Sequence, residues 1–262
     1  MPIDISKMLE DKTGKSYLSY SSVKYALQDM RLFEMYMKGQ LKKTSVALEF
    51  GSMYDTLLFE PQDFKERFRV IDEEQILLEI GGKNPRATRV YKDWKAEQDT
   101  DAGDKALVNA EDYQQAIDMI SRLDDCGIRD TFLKGKYQVE FKEEIDISDE
   151  YTGLVVRGFL DCLGDGHISD SKSSRSANGF PRDALYSYSY DIQAYLYTKV
   201  FDIPDFYWVV QEKTYPYLPA VYKASDKTLG FGESKFKKGV KTIVEYFDQD
   251  KASNKFYLQG EI

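Results

Sequence analysis

Hydrophobic and polar positions divide the chain into a helical first half and a mixed second half. Apolar residues recur at helical spacing between Val23 and Tyr36, which predicts a helix over residues 23–39. Ser21 and Ser22 come directly before this segment, and serine is typical of a helix N-cap. The same spacing predicts further helices over residues 45–59, 88–98 and 111–123.

The pattern changes to short strands in the second half, where β-branched and aromatic residues lie between turn residues. Strands are predicted over residues 137–147, 154–163, 167–172, 206–214 and 220–222, and helices over residues 184–200 and 233–247. The strand that begins at Phe206 is largely apolar at its start, which favours a central position in the sheet. We therefore expect an α/β (α+β) fold, a mixed sheet flanked by helices.

Length and composition indicate a single folded unit. The 262 residues with 42% hydrophobic content are enough for one sizeable core. We expect one domain over residues 1–262, with a mainly helical part at 1–135, a sheet core at 136–225 and a closing helix at 226–262.

Several classes of protein are disfavoured by the composition. No apolar run approaches the ~20 residues that span a bilayer, and the polar N-terminal residues are unlike a secretory signal. Cys126 and Cys162 form no CxxC pair, so we expect a reducing, cytoplasmic location. A net charge of −9 disfavours non-specific coating of DNA, although the 36 Lys and Arg residues leave room for a local basic stripe.

An aspartate and a lysine two residues apart carry the candidate chemistry. Asp170 and Lys172 project to the same face of a predicted strand, because side chains alternate along a strand. Asp161 ends the preceding strand, and the tight connection at residues 164–166 predicts a hairpin that brings its carboxylate next to Asp170. Two neighbouring carboxylates can hold a Mg²⁺ ion between them, and the lysine can stabilise or orient a water molecule that attacks phosphorus.

Other polar residues complete or compete with this arrangement. A third acidic ligand is available one strand earlier, at Glu140 or at Glu144 on the same face, and Gln193 lies on the following helix. An isolated D-x-K pair on a strand is most often a solvated edge or a surface ion pair. The combination of an aspartate, the D-x-K pair, a glutamate and a glutamine favours a catalytic site.

Further residues are candidates for contact with nucleic acid. Lys24 and Ser21 lie at the predicted start of the first helix, where a terminal 5′-phosphate could bind, although N-capping is the ordinary role of such a serine. Arg175 and Arg182 flank the loop after the D-x-K strand and are candidates for phosphate contacts, as are Lys42 and Lys43. The tyrosines at 186, 188, 190, 195 and 197 could stack on unpaired bases, but burial in the core is the favoured role. The single histidine, His167, is interpreted as structural.

Short motifs follow one another in a characteristic order. They are Glu140 on the first strand, a turn ending Thr152-Gly153, R-x-F-x-D ending at Asp161, I-x-D-x-K-[ST]-[ST] at residues 168–174 and Y-x-x-Q-x-x-x-Y at residues 190–197. In the first half, YLSYSSVKYAL matches a serine-rich helix start and LEFGSMYDTLLFEP matches an FGxxxHxxxLEP segment. Over residues 17–225 this order resembles the RecE-like (exodeoxyribonuclease VIII-like, phage-type) nucleases of the PD-(D/E)xK superfamily, with their restriction-endonuclease-like core.

The resemblance implies an exonuclease that degrades one strand of linear double-stranded DNA in the 5′ to 3′ direction. Such enzymes use Mg²⁺, with Mn²⁺ as an alternative, and act in phage-type recombination or repair in a bacterial or phage-infected cell. Their implied partners are double-stranded DNA ends, a single-strand annealing protein and further copies of the same chain in a ring. No membrane is implied.

The same resemblance assigns roles to individual residues. Asp161, Asp170 and Glu140 resemble the metal ligands, with the Ser171 carbonyl as a further oxygen. Lys172 resembles the catalytic lysine. Gln193 and Tyr197 resemble the helix residues that orient the lysine, the water or the scissile phosphate.

One departure from the family pattern changes the expected metal site. Asp55 stands where the FGxxxH segment has a metal-contacting histidine, and an aspartate is an oxygen ligand that suits Mg²⁺. Either Asp55 replaces the histidine as a ligand, or this position no longer binds the metal and the activity or metal preference has changed. Two alternatives to the exonuclease therefore stay open: a structure-specific or single-strand nuclease on the same fold, and a non-catalytic module that binds DNA ends or protein.

Overall fold

The computed structural model describes residues 2–41 and 45–248. Its helices are α1 (Ile5–Thr13), α2 (Tyr20–Gln28), α3 (Met30–Met37), α4 (Val46–Phe59), α5 (Phe64–Arg67), α6 (Glu73–Ile80), α7 (Arg89–Ala102), α8 (Ala110–Asp125), α9 (Ile128–Phe132), α10 (Phe180–Tyr186), α11 (Tyr190–Phe201) and α12 (Asp226–Asp248). Its strands are β1 (Ile3–Asp4), β2 (Phe68–Ile71), β3 (Ala106–Asn109), β4 (Lys136–Glu144), β5 (Tyr151–Thr152), β6 (Val155–Leu163), β7 (Ile168–Ser174), β8 (Phe206–Glu212) and β9 (Pro219–Lys223).

The main sheet of the described chain has five strands in the order β4-β6-β7-β8-β9. Neighbouring strands are antiparallel except for β7 and β8, which run parallel. A parallel pair needs a crossover connection, and α10 and α11 provide it between β7 and β8. The mixed sheet with its flanking helices confirms the predicted fold class.

Side chains on the two faces of the sheet belong to two hydrophobic cores. Along β8, Phe206, Trp208 and Val210 lie in the first core, with residues of α2, α11 and α12. Val209, between them, lies in the second core with residues of α4 and α8. This alternation follows from the two-residue period of a strand. β8 lies between β7 and β9, so it is an interior strand, although β7 is the middle one.

The predicted helix over residues 23–39 is wrong in its continuity. Asp29 ends α2 and begins α3 with an extended backbone (φ −166°), and its carboxylate accepts a hydrogen bond from the Arg31 backbone N–H. The cap was also predicted at the wrong serine. Ser19 is the N-cap of α2, and its side chain and that of Ser22 bond reciprocally to each other's backbone N–H groups in a capping box.

The predicted helix over residues 184–200 also divides into two, α10 and α11. The break comes at Ser187 to Ser189, where Ser189 has a left-handed backbone (φ +55°). A left-handed residue cannot continue a right-handed helix, so the chain changes direction there. The two tyrosines on either side of Ser189 are consequently not successive residues of one helix.

Most of the other predicted elements lie within a few residues of their predicted positions, but the helix predicted over residues 233–247 begins seven residues earlier, at Asp226. Helices α1, α5, α6 and α9 were not predicted. Helix α4 begins one residue after the predicted start, because Ser45 is its N-cap, and it ends before Pro61. The short parallel pairs β1–β5 and β2–β3 were not predicted, because two to four residues give no readable period. No helix in the described residues is long and apolar enough to cross a membrane. Lys42, Lys43 and residues 249–262 lie outside the described residues.

Candidate active site

Strand β7 presents an aspartate and a lysine side by side near the centre of the sheet. Asp170 is 2% exposed, and its carboxylate forms an ion pair with the Lys172 ammonium group. The same ammonium group donates a hydrogen bond to the backbone oxygen of Ser171 at 3.2 Å. A buried aspartate needs such partners, because an unpaired charge away from water is costly. The D-x-K pair is therefore not a solvated edge.

Asp161 lies next to this pair because the ladder between β6 and β7 is short. The two strands pair only at Cys162 with Ser169 and at Leu163 with Ile168. Beyond that point the Asp161 carboxylate accepts a hydrogen bond from the Ser171 backbone N–H at 2.8 Å. Where the two strands separate, this hydrogen bond to the Asp161 side chain thus takes the place of a backbone hydrogen bond between them.

Helix α11 fixes the orientation of the buried aspartate. Gln193 Nε2 donates a hydrogen bond to Asp170 Oδ1 at 2.7 Å, and both side chains are buried. One turn further on, Tyr197 is 6% exposed and meets the Phe141 ring edge-on at 5.2 Å between centroids. Burial raises the pKa of Tyr197, and the Asp170 carboxylate raises it further. The phenol is therefore neutral at physiological pH.

A third aspartate reaches the site from helix α4. Met53 and Leu57 of this helix are buried in the second core, and Asp55 lines a cavity of about 430 Å³ together with Asp161 and Lys172. Burial raises the pKa of Asp55 to about 7, opposed by the Lys172 charge and supported by the Asp170 charge. Asp55 thus belongs electrostatically to the same cluster.

The cluster carries more acid than the protein alone neutralises. Burial, with help from the Asp170 carboxylate, raises the pKa of Asp161 well above its ordinary value. Burial alone would lower the pKa of Lys172, but the carboxylates of Asp170 and Asp161 raise it well above its ordinary value. One ammonium group therefore faces three carboxylates, and the arrangement favours binding of a further cation.

The donor atoms suit a hard divalent metal ion. The carboxylates of Asp55, Asp161 and Asp170 and the backbone oxygen of Ser171 are all oxygen donors, which Mg²⁺ prefers. Within residues 2–41 and 45–248, no three acidic, histidine or cysteine side chains are already drawn together as a metal cluster. The residues therefore fit the ion chemically, and closing around it requires rotation of their side chains.

Neither of the two predicted glutamates joins this cluster. Glu140 is exposed, faces Phe159 across the β4–β6 ladder, and its carboxylate accepts hydrogen bonds from the Arg157 guanidinium group at 2.6 and 2.7 Å. The Glu144 carboxylate accepts a hydrogen bond from the Gly153 backbone N–H at 3.0 Å. Neither glutamate lines the cavity that Asp55 and Asp161 share, so Asp55 is the third acid that the structure brings to the site.

Gln138 occupies a position beside the aspartates that the sequence did not indicate. The pairing of β4 with β6 skips the facing residues Gln138 and Asp161, although the register is the same on both sides. Gln138 has a left-handed backbone (φ +48°) and lines the cavity. A strand residue in this conformation costs about 1–3 kcal/mol and is typical of functional sites. No sequence pattern indicates it.

Two more charged residues that the sequence did not single out line the same cavity. Arg67 NH1 lies 3.1 Å from Glu60 Oε2. The Arg67 charge lowers the pKa of Asp55, although burial outweighs it. Arg67 is therefore within electrostatic reach of the cluster.

The candidate DNA contacts differ in position. Ser21 lines a separate cavity of about 450 Å³ with Gln193 and Tyr197, and Lys24 donates a hydrogen bond to the Tyr20 hydroxyl at 3.3 Å. Since Ser19 is the helix cap, Ser21 does not have the capping role that was its alternative.

Two other predicted DNA contacts, Arg175 and Arg182, lie at the protein surface. Arg175 is exposed, and Arg182 pairs with the adjacent Asp183 at 3.2 Å. The ring of His167 lies 3.2 Å from the Phe132 backbone oxygen and edge-on to Tyr207 at 5.9 Å, consistent with a structural role. These basic side chains lie outside the cavity that holds the aspartates.

A mixed sheet that gathers Asp161, Asp170 and Lys172 from adjacent strands, with a glutamine on the next helix, defines a PD-(D/E)xK-type domain. The chain belongs to the family described as a PDDEXK-like domain of unknown function (DUF3799), whose model matches residues 19–255. The match covers both the helical part and the sheet core.

Comparison with solved structures extends the likeness of the fold. A crystal structure of a protein from Eubacterium rectale, provisionally described as an exonuclease, aligns with a TM-score of 0.61 and 16% identity over 97% of this chain and 92% of that chain. At this identity the likeness shows the fold alone. The protein SSO0001 aligns with a TM-score of 0.30 and 14% identity over 73% of this chain and 86% of that chain, which carries no argument. No curated protein matches this sequence.

Proposed function

We propose that this protein is a metal-dependent nuclease that hydrolyses phosphodiester bonds of DNA, and more narrowly a 5′ to 3′ exonuclease on linear duplex DNA. The observation that carries the proposal is the cluster of half-buried Asp161, buried Asp170 and half-buried Lys172 at the point where β6 and β7 separate. Asp55, on helix α4, lines the same cavity as Asp161 and Lys172. The family membership supports a hydrolytic nuclease, and the order of motifs favours the exonuclease.

The metal ion would be held by oxygen atoms. Asp161, Asp170 and Asp55 would supply carboxylates and Ser171 its carbonyl, while Glu140 would reach the ion only after leaving Arg157. Nucleases of the PDDEXK class generally depend on a divalent metal, and oxygen donors favour Mg²⁺, with Mn²⁺ as a substitute. When bound, such an ion lowers the pKa of its water and neutralises charge on the leaving oxygen.

The protein's own residues would position the reaction. Gln193 holds Asp170 through its amide, so the carboxylate keeps one orientation. The carboxylates keep Lys172 protonated, and its ammonium group would orient the attacking water and stabilise negative charge on the phosphate. Neutral Tyr197 would donate to the water or to the phosphate from the same helix.

The wider setting of the activity is part of the same proposal. We propose that the substrate is a double-stranded DNA end and that the protein acts in phage-type recombination or repair in the bacterial or phage-infected cytoplasm. A single-strand annealing protein would receive the strand that is left, and several copies of the chain would assemble as a ring around DNA. Arg175, Arg182, Lys24 and Ser21 are the proposed contacts to the DNA backbone.

The direct test uses linear duplex DNA labelled at the 5′ end or at the 3′ end, with Mg²⁺, with Mn²⁺ and with a chelator. We expect metal-dependent release of the 5′ label, loss of that release in Asp170→Asn, and no cutting of closed circular duplex. Cutting of relaxed closed circles would replace the exonuclease by an endonuclease. Binding of DNA without release of either label in both metals would replace it by a non-catalytic module.

A further inference from the structure

A pair of stacked tyrosines stands at the mouth of the candidate active site. The rings of Tyr188 and Tyr190 lie 5.2 Å apart between centroids and 23° from parallel. Tyr190 lines the cavity of the aspartates, and the Lys172 ammonium group lies 5.0 Å from the centre of its ring. Tyr188 forms the outer side of the pair and is 47% exposed. The exposed ring of Tyr188 is therefore separated from Lys172 only by the ring of Tyr190.

The tyrosine pair rests on further aromatic rings that reach into the core. Tyr190 stacks on Phe180 at 6.0 Å and 25°, and Phe180 stacks on Tyr222 at 5.9 Å and 20°. Phe180 is buried, and the Tyr222 hydroxyl donates a hydrogen bond to the Ala177 backbone oxygen at 2.9 Å. A ring supported in this way loses little further freedom when a ligand stacks on it.

The backbone holds the outer tyrosine in place at some cost. Ser189, between the two rings, has a left-handed backbone (φ +55°), which is unfavourable for a residue with a side chain. The Tyr20 hydroxyl donates a hydrogen bond to the Tyr188 backbone oxygen from a different helix. By contrast, Tyr195 on the next helix is buried in the first core. Packing explains the position of that ring but leaves the exposure of Tyr188 unexplained.

We propose that Tyr188 is a stacking surface for an unpaired nucleobase of the strand whose phosphate enters the catalytic cavity. The proposal rests on the proposed nuclease function and specifies its substrate as a DNA end whose terminal bases are unpaired. Every base has an aromatic face, so stacking of this kind tolerates any sequence. The site therefore accepts any of the four bases and favours a frayed or single-stranded end over a blunt, fully paired one.

The test measures DNA binding in an Asp170→Asn background, where hydrolysis is not expected. The probes are one duplex with a short unpaired end that carries 2-aminopurine, the same duplex with an abasic site at that position, and a blunt duplex. We expect 2-aminopurine fluorescence to be quenched by stacking. Tyr188→Leu should abolish the quenching and weaken binding of the unpaired end on the order of 10-fold. Tyr188→Phe and Tyr188→Trp should restore both.

Two controls separate stacking from a general loss of structure. Tyr215→Leu changes a tyrosine that is 82% exposed, lies between β8 and β9 and does not line the cavity of the aspartates, and it should alter neither quenching nor affinity. On the abasic end, Tyr188→Leu should bind as tightly as its parent, because the base that the ring contacts is already missing.

Two results would reject the stacking site alone. One is equal quenching in Tyr188→Leu and its parent, and the other is an equal loss of affinity for the blunt and unpaired ends. In either case the nuclease proposal stands if the protein without substitutions degrades DNA. If the Asp170→Asn protein binds none of the probes and the unchanged protein degrades none, both proposals are rejected.

Discussion

The stability of the metal-free protein should fall as the pH rises, because buried aspartates become ionised without a cation to balance them. Burial raises the pKa of Asp55 from 3.8 to about 7. In the unfolded chain the same group ionises near 3.8. Folding therefore favours the protonated carboxyl, and this contribution is lost progressively as the pH rises from about 4 through 7. Asp161 contributes in the same direction, since burial also raises its pKa.

The size of the effect follows from the difference between the two pKa values. About three pH units at about 1.4 kcal/mol each give about 4 kcal/mol above pH 7. This value is an upper limit for Asp55, because the residue keeps some contact with solvent. Between about pH 5.5 and pH 8.5 only the interval below 7 contributes for Asp55, so we expect its part of the loss to be about 2 kcal/mol and to level off above pH 7.

The assay is urea unfolding of the metal-free protein across this pH range, beside the variant Asp55→Asn. The introduced side chain is an amide that does not ionise, so the variant should have a flatter dependence by about 2 kcal/mol. Saturating Mg²⁺ should stabilise the unchanged protein more at pH 8.5 than at pH 5.5, because only ionised carboxylates bind the metal. A metal-free protein that gains stability from pH 5.5 to 8.5, or an Asp55→Asn variant with an unchanged slope, would refute the electrostatic reasoning.

Three further predictions concern Lys172, the glycines of α12 and the cap of α2. Lys172→Ala should lower the rate of DNA hydrolysis by about 10²–10⁴-fold in a single-turnover assay while Mg²⁺-induced stabilisation persists, and an unchanged rate would remove the lysine from the mechanism. Gly232→Ala should destabilise the protein by about 1–3 kcal/mol in thermal unfolding, since its Cβ would lie 2.0 Å from the Asp191 backbone oxygen. Gly230→Ala, in the same helix with open space around it, should instead stabilise by about 1 kcal/mol, and equal effects at the two glycines would contradict the packing described. Ser19→Ala should lower the unfolding free energy by about 1 kcal/mol, and no loss would mean that the capping box contributes nothing.

The elements that could be predicted are those with a long period or an explicit terminus. Helix α4 has a serine cap and a proline just beyond its end, and its bounds match the prediction within a residue. Helix α8 and strands β6 and β8 carry enough periodic residues to be recognised. The break at Asp29 was missed because the apolar spacing continues across it, and only the competition of a carboxylate for backbone N–H groups interrupts the helix.

Site residues that share a strand face by simple alternation could be predicted from the sequence. Those whose position depends on the register between two strands could not. The two-residue period brings Asp170 and Lys172 to one face, whatever the rest of the fold does. The position of Glu140 depends on which residue faces it across the ladder, and Arg157, two residues before that partner, holds its carboxylate. Gln138 is beyond sequence reasoning, because its left-handed backbone reflects tertiary packing and not the preference of glutamine.

The electrostatics of the site are difficult to explain by stability alone. Asp55 and Asp161 are held where burial raises the pKa of each, and a single lysine faces three carboxylates. Replacing such a buried charged cluster by apolar residues of similar size is often neutral or stabilising. Arg157 and Glu140, by contrast, form an exposed ion pair on β6 and β4 of the same sheet without any such conflict. A sheet that accommodates pairs of the second kind has no structural need for the first. The charged cluster is therefore best explained as a site for a ligand of opposite charge, and the oxygen donors of Asp55, Asp161 and Asp170 would suit the divalent cation proposed above.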